Sequence, residues 1–200
     1  MNNLTEIKIS SIEPRSKIGL LGDILKGQKL IEVFINRFKF DFNIIFSKNF
    51  DSEIESSVKY NVYNKSEEYN FVFNHLIKYI DYANYNNEYL IVFDDYFNNN
   101  YFLQKIYFSS ILTIITNNFL QLHLESMHDY IIIFYIDDIH IQTHLYNTYF
   151  TKFFDTLEKF LEIYHILKND QTIYSLVIQM TNDNSYLFYL KNTFYYEIEI

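Results

Sequence analysis

Hydrophobic and polar residues follow two periods along this chain. Between residues 37 and 46, Phe38, Phe40, Phe42, Ile44 and Phe46 alternate with Arg37, Lys39, Asp41 and Asn43. A period of two predicts a half-buried strand. The run 30–35 reads as a strand before it, 58–63 as a short strand after it, and the partial alternation of 4–12 as a first strand. Ile18, Leu20, Leu21, Ile24 and Leu25 predict a short amphipathic turn of helix. Ser66, followed by Glu67 and Glu68, opens a helix whose stripe is Tyr69, Phe73, Leu76, Ile77 and Ile80.

The second half of the chain has longer patterns. Residues 89–93 and 130–136 are continuous apolar strands, each closed by two acids. The stretch 101–124 is apolar on most sides and predicts a buried helix. Residues 141–167 read as one amphipathic helix with the stripe Leu145, Tyr149, Phe153, Leu157, Phe160, Leu161 and Tyr164. Asp155 and Lys159 form an i,i+4 pair on its solvated side. Strands at 172–180, 186–191 and 194–200 follow, joined by Asn-rich turns.

Apolar strands alternating with helices imply buried parallel pairing, and the C-terminal strands imply a meander. The expected class is α+β shading into α/β. It comprises a mixed sheet with a β-α-β-α core, three or four N-terminal strands and a C-terminal antiparallel meander. The expected organisation is one domain over 1–200, with 1–27 as a loosely packed N-terminal segment.

Composition narrows the chemistry. The 200 residues include 3 Gly, 1 Pro and no Cys, and every Gly and Pro lies between positions 14 and 27. Disulfide scaffolds and Cys-ligated zinc folds are excluded, as is any glycine-dependent motif after Gly27. The excess of Asn, Ile, Tyr and Phe follows AT-rich codons. Lys shares that codon bias, yet 16 basic residues face 25 acidic ones, for a net charge of −9. Such a field repels phosphate backbones and anionic membranes and attracts basic partners.

The repeated strand-plus-acids pattern is the main candidate for chemistry. It places Asp94 and Asp95 after one strand and Asp137 and Asp138 after another. Were those strands parallel neighbours, their carboxylates would meet at the C-terminal edge and could hold Mg²⁺ for phosphoryl transfer. The plainer expectation is that each acid marks a strand exit and caps the next helix. His140 and His144 are spaced i,i+4 beside Asp137 and Asp138, which suits a metal site, although Ile141, Gln142 and Thr143 lack the Glu of the metalloprotease helix.

Tyr135-Ile136-Asp137-Asp138 resembles the Tyr-x-Asp-Asp signature of reverse-transcriptase palms. The resemblance implies that these acids, with Asp94 or Asp95, carry two metal ions. It covers four residues; the spacing between the acid pairs is short, and no glycine or basic groove accompanies it. The run 131–138 also has the form of a Walker B strand. Its partner loop would be Gly22-Asp23-Ile24-Leu25-Lys26-Gly27, which lacks the Gly-Lys-Ser/Thr ending that cradles phosphates.

Tyr, Asn and Asp mixed at element edges, with the acidic balance, favour a protein-binding surface. The first functional expectation is therefore a non-enzymatic, acidic binding protein of toxin-immunity or viral-inhibitor type. It has no catalytic, cofactor or metal residues, a basic protein partner, no direct nucleic-acid or membrane contact, and a cytoplasmic location. The rivals are a Mg²⁺-dependent phosphoryl- or nucleotidyl-transfer enzyme using Asp94, Asp95, Asp137 and Asp138, and an accessory protein of an AT-rich virus or plasmid.

Overall fold

The protein is described by a computed structural model covering residues 4–13, 16–38, 40–47, 61–63, 71, 74, 75, 78, 89–94, 112–117, 129–170, 173–181 and 184–191. Among the described residues, nine strands form one sheet: β1 (Thr5–Glu6), β2 (Lys17–Leu21), β3 (Phe42–Phe46), β4 (Asn61–Tyr63), β5 (Tyr89–Asp94), β6 (Leu112–Asn117), β7 (Tyr130–Ile133), β8 (Ile173–Met180) and β9 (Ser185–Lys191). Their order is β1-β9-β8-β7-β2-β6-β5-β3-β4. From β4 across to β7 every pairing is parallel, while β7–β8 and β8–β9 are antiparallel. The mixed sheet and the antiparallel β8–β9 hairpin agree with the expected fold class.

Helices cover both faces of the sheet. Helix α1 (Ile24–Phe38) follows β2 and buries Leu30, Ile31 and Phe34 with Leu20, Leu90, Val92 and Ile132. On the opposite face lie α2 (Ile139–Leu145), α3 (Leu157–Tyr164) and α4 (Ile166–Asn169). Leu145, Phe160, Tyr164 and Leu167 pack there with Ile131, Ile133 and Leu176. Successive residues of β7 thus serve opposite layers, which is why the strand is apolar throughout and shows no alternation.

Several expectations are corrected. Residues 30–35 are helical because the turn-spaced set Leu25, Lys29, Glu32 and Asn36 lies on the less buried side. The period-two run 37–46 becomes a strand only at Phe42; Arg37 and Phe38 end α1, and Phe38 stacks on Phe34 at 5.6 Å. Residues 112–117, expected within a long helix, form β6 between β2 and β5. Leu112, Ile114 and Ile115 suit either a buried strand or a buried helix, so the apolar pattern did not separate them.

The expected single helix over 141–167 is broken. A π-helical turn (Tyr146–Phe150) follows α2, and the chain leaves helical geometry at Thr156 (φ −137°, ψ 154°). The Thr156 hydroxyl then accepts from the Lys159 amide at 3.3 Å and caps α3. Asp155 and Lys159 do form their ion pair, at 2.9 Å.

The stretch 1–27 is not loosely packed where it is described. Ile9 and Ile12 are buried beside a 3₁₀ turn (Ile9–Ser11), and β1 is only two residues long. Residues 18–21, expected in a helical turn, belong to β2 near the sheet's centre. Of the strand expected at 58–63, residues 61–63 form β4, and 58–60 lie outside the described residues. In the helix expected after Ser66, Phe71, Asn74, His75 and Lys78 are helical. Strand 194–200 and Asp95 lie outside the described residues. Among the described residues no helix is long and apolar enough to cross a membrane.

Candidate functional site

Strand β2 sends the chain toward one edge of the sheet, and its neighbour β7 sends it toward the other. The connection out of β2 leads through α1 to β3, beyond β6 and β5, whereas β7 lies on the opposite side. The helices following β2 and β7 cover opposite faces. The carboxyl ends of two such strands are the place where open α/β sheets hold ligands.

The turn there is short: β2 ends at Leu21, and α1 begins at Ile24. Gly22 has φ +115°, a backbone conformation that L side chains rarely adopt. A Cβ on it would lie 2.8 Å from the Phe134 carbonyl oxygen. That close approach exists because the Phe134 amide donates to the Leu21 carbonyl at 2.8 Å, carrying the β2–β7 ladder one step further. Asp23 caps α1, its Oδ1 accepting from the Lys26 amide at 3.1 Å.

Aromatic residues back this turn. The Phe134 ring meets Tyr174 edge-on at 5.4 Å. The Tyr174 hydroxyl donates to the Lys26 carbonyl at 2.8 Å, and the Lys26 ammonium lies 5.6 Å from the centre of its ring. From the other layer, the Tyr164 hydroxyl donates to the Phe134 carbonyl at 2.8 Å and accepts from the Ile136 amide at 3.1 Å. Burial pushes the Tyr164 phenol far above its ordinary range, so it stays protonated and keeps donating.

The sheet register places the acids. Asp94, the last residue of β5, pairs with Thr116 of β6; Thr116 pairs with Leu20 of β2, and Leu20 with Ile132 of β7. Asp94 is therefore level with the end of β2 and two strands from it, roughly 10 Å along the sheet. Thr116 and Asn117 occupy the intervening strand end. Sequence reasoning missed these two residues because β6 was read as helix.

The strands that precede the two Asp pairs, β5 and β7, are parallel but not neighbours. With β6 and β2 between them, β5 and β7 are roughly 14 Å apart. Each acid after β7 has a local partner. Asp137 accepts from Lys168 Nζ at 2.7 Å and from the Tyr135 hydroxyl at 3.0 Å, and these bonds hold its carboxyl below the usual range. Asp138 caps α2, accepting from the amides of His140 at 2.8 Å and Ile141 at 3.1 Å. His140 and His144 are exposed on α2. Among the described residues no group of three or more His, Asp or Glu is placed to hold a metal ion. The Tyr135–Asp138 segment is a strand exit and helix cap within an open α/β sheet, so the palm-like reading of it does not hold.

No family model matches the chain, and no curated protein matches it. Solved structures do. The DNA-packaging ATPase B204 of Sulfolobus turreted icosahedral virus matches with a TM-score of 0.58 and 14% identity, over 88% of this chain and 98% of that one. The genome packaging NTPase B204 of Sulfolobus turreted icosahedral virus 2 matches in its complex with ATP-gammaS, with a TM-score of 0.60 and 11% identity over the same shares. Its complex with AMPPCP gives a TM-score of 0.59. The likeness is one of fold. The chain has an α/β architecture similar to that of these packaging NTPases. This overturns the expectation of a non-enzymatic binding protein of immunity or inhibitor type.

P-loop proteins hold phosphates on a glycine-rich turn ending Gly-Lys-Ser/Thr, and their magnesium on that hydroxyl and a strand-end Asp. Here Gly22 and Gly27 keep the glycine spacing, but Gln28 and Lys29 stand where Lys and Ser/Thr are expected. Asp94-Asp95 keeps the strand-end acids. Position 29 thus offers no hydroxyl of the kind that motif uses for magnesium. Lys26 and Lys29 are the cations that the turn itself carries.

Proposed function

We propose that this chain binds a nucleoside triphosphate at the carboxyl edge of the sheet and acts in phosphoryl transfer of the genome-packaging NTPase type. One observation carries this reading. The β2–Gly22–α1 turn and Asp94 stand level with each other in a sheet whose fold matches packaging NTPases over 88% of the chain. In this arrangement Gly22 lets the backbone turn beside β7, Lys26 and Lys29 supply positive charge to phosphates, and Asp94 supplies the acid. The missing loop lysine makes phosphate contact depend on those two neighbouring lysines.

The test is ATP hydrolysis in the presence of magnesium by the wild-type chain and by Asp94→Asn. Turnover is expected in the wild type, and the variant should lose on the order of a hundredfold or more, the scale of charge stabilisation at such sites. Equal turnover by the two proteins would remove Asp94 from the site.

A further inference from the structure

The turn that should accommodate phosphates is closed in this structure. Two residues, Gly22 and Asp23, join β2 to α1, whereas the glycine spacing of the motif runs from Gly22 to Gly27. The difference is the first turn of α1, which has absorbed the intervening residues. It is secured by the bonds to Asp23, namely Gly27 amide to carbonyl at 2.9 Å and Lys26 amide to carboxylate at 3.1 Å, and by Tyr174 holding the Lys26 carbonyl.

This turn is cheap to undo. Leu25 is 70% exposed, so it contributes little burial. Gly27 is the least favourable helix residue short of proline and gives the helix no side chain there. The anion position at the helix N-terminus is taken by the chain's own Asp23 carboxylate, whose charge repels an incoming phosphate.

Resting on the functional reading above, we propose that the first turn of α1 is a nucleotide-operated switch. Without nucleotide, residues 24–27 are helical and capped by Asp23. On binding, the phosphates displace the Asp23 carboxylate, and the turn uncoils between Gly22 and Gly27 to form the loop that wraps them. Phe134 and Tyr174 back the closed form, and Gly22 and Gly27 are the hinges.

Two substitutions should act in opposite directions. A Cβ at Gly27 would meet Phe134 Cε2 at 3.8 Å and Leu20 Cδ1 at 3.9 Å, which are ordinary contacts, so Gly27→Ala fits the closed form and favours its helical turn. It should raise Tm and weaken ATP binding about two- to fivefold. Asp23→Asn keeps a cap oxygen but removes the charge; it should tighten ATP binding about two- to fivefold, less so at high salt. Saturation with ATP should also move the carbon chemical shifts of Leu25 and Lys26 out of the helical range. ATP binding with both variants equal to wild type and the shifts still helical would overturn the switch and leave the functional reading standing. Failure of the wild-type chain to bind ATP would overturn both.

Discussion

Gly22 shows how much one residue can fix. Its positive φ and the 2.8 Å approach to the Phe134 carbonyl exclude a side chain on two independent grounds. Gly22→Ala should cost about 2–3 kcal/mol or more, measured by urea unfolding, because backbone strain and a clash with an immovable ladder atom add. A second residue-scale expectation concerns Asp137. Its bonds from Lys168 and Tyr135 hold its carboxyl below the usual range. Its stabilising contribution is therefore fully present above the unfolded value, about 3.9, and is lost as pH falls through the folded value. The group is exposed, so the effect is small. Comparing urea midpoints of wild type and Asp137→Asn between about pH 5 and pH 2 should show the wild type losing its advantage on the acid side.

Strands and helices were legible where periodicity was local and unshared. Residues 89–93 and 130–136 could be read as strands from unbroken apolar runs that end in acids, although the second strand stops at Ile133, and β8 and β9 from the Asn turn between them. The period-two phenylalanines misled because the α1-to-β3 corner preserves a stripe across two different geometries. Phe34, Phe38 and Phe40 pack on one another around that corner, with ring centres 5.6 Å apart at each step. The Thr156 break was hidden because Phe153, Leu157, Phe160 and Leu161 keep a helical stripe through an interruption that only the cap reveals. Thr156→Ala should therefore destabilise the chain by about 1 kcal/mol in thermal or urea unfolding, the usual cost of losing such a cap. An unchanged midpoint would mean that the Lys159 amide finds another acceptor.

At the scale of the molecule, the site was legible only in fragments. The sequence places two acid pairs at strand ends, but strand order decides which of them belongs beside the turn. That order follows from non-local pairing: β6 and β2 separate β5 from β7, so Asp94 stands level with the turn while Asp137 and Asp138 serve the β7 exit and α2. The glycine spacing of residues 22–27 was visible, yet the missing Lys-Ser/Thr ending argued against a phosphate site until the fold placed that turn at the head of the central parallel strands. The acidic field suggested a protein-binding role because charge describes the surface and its encounters, not the fold beneath.

The most direct measurement is a calorimetric titration of the wild-type chain with ATP and magnesium. Saturable binding with Kd below about 1 mM, within the usual range for enzyme substrates, and weakened by Lys29→Ala, is the predicted result. No heat of binding up to several times that concentration would contradict the account.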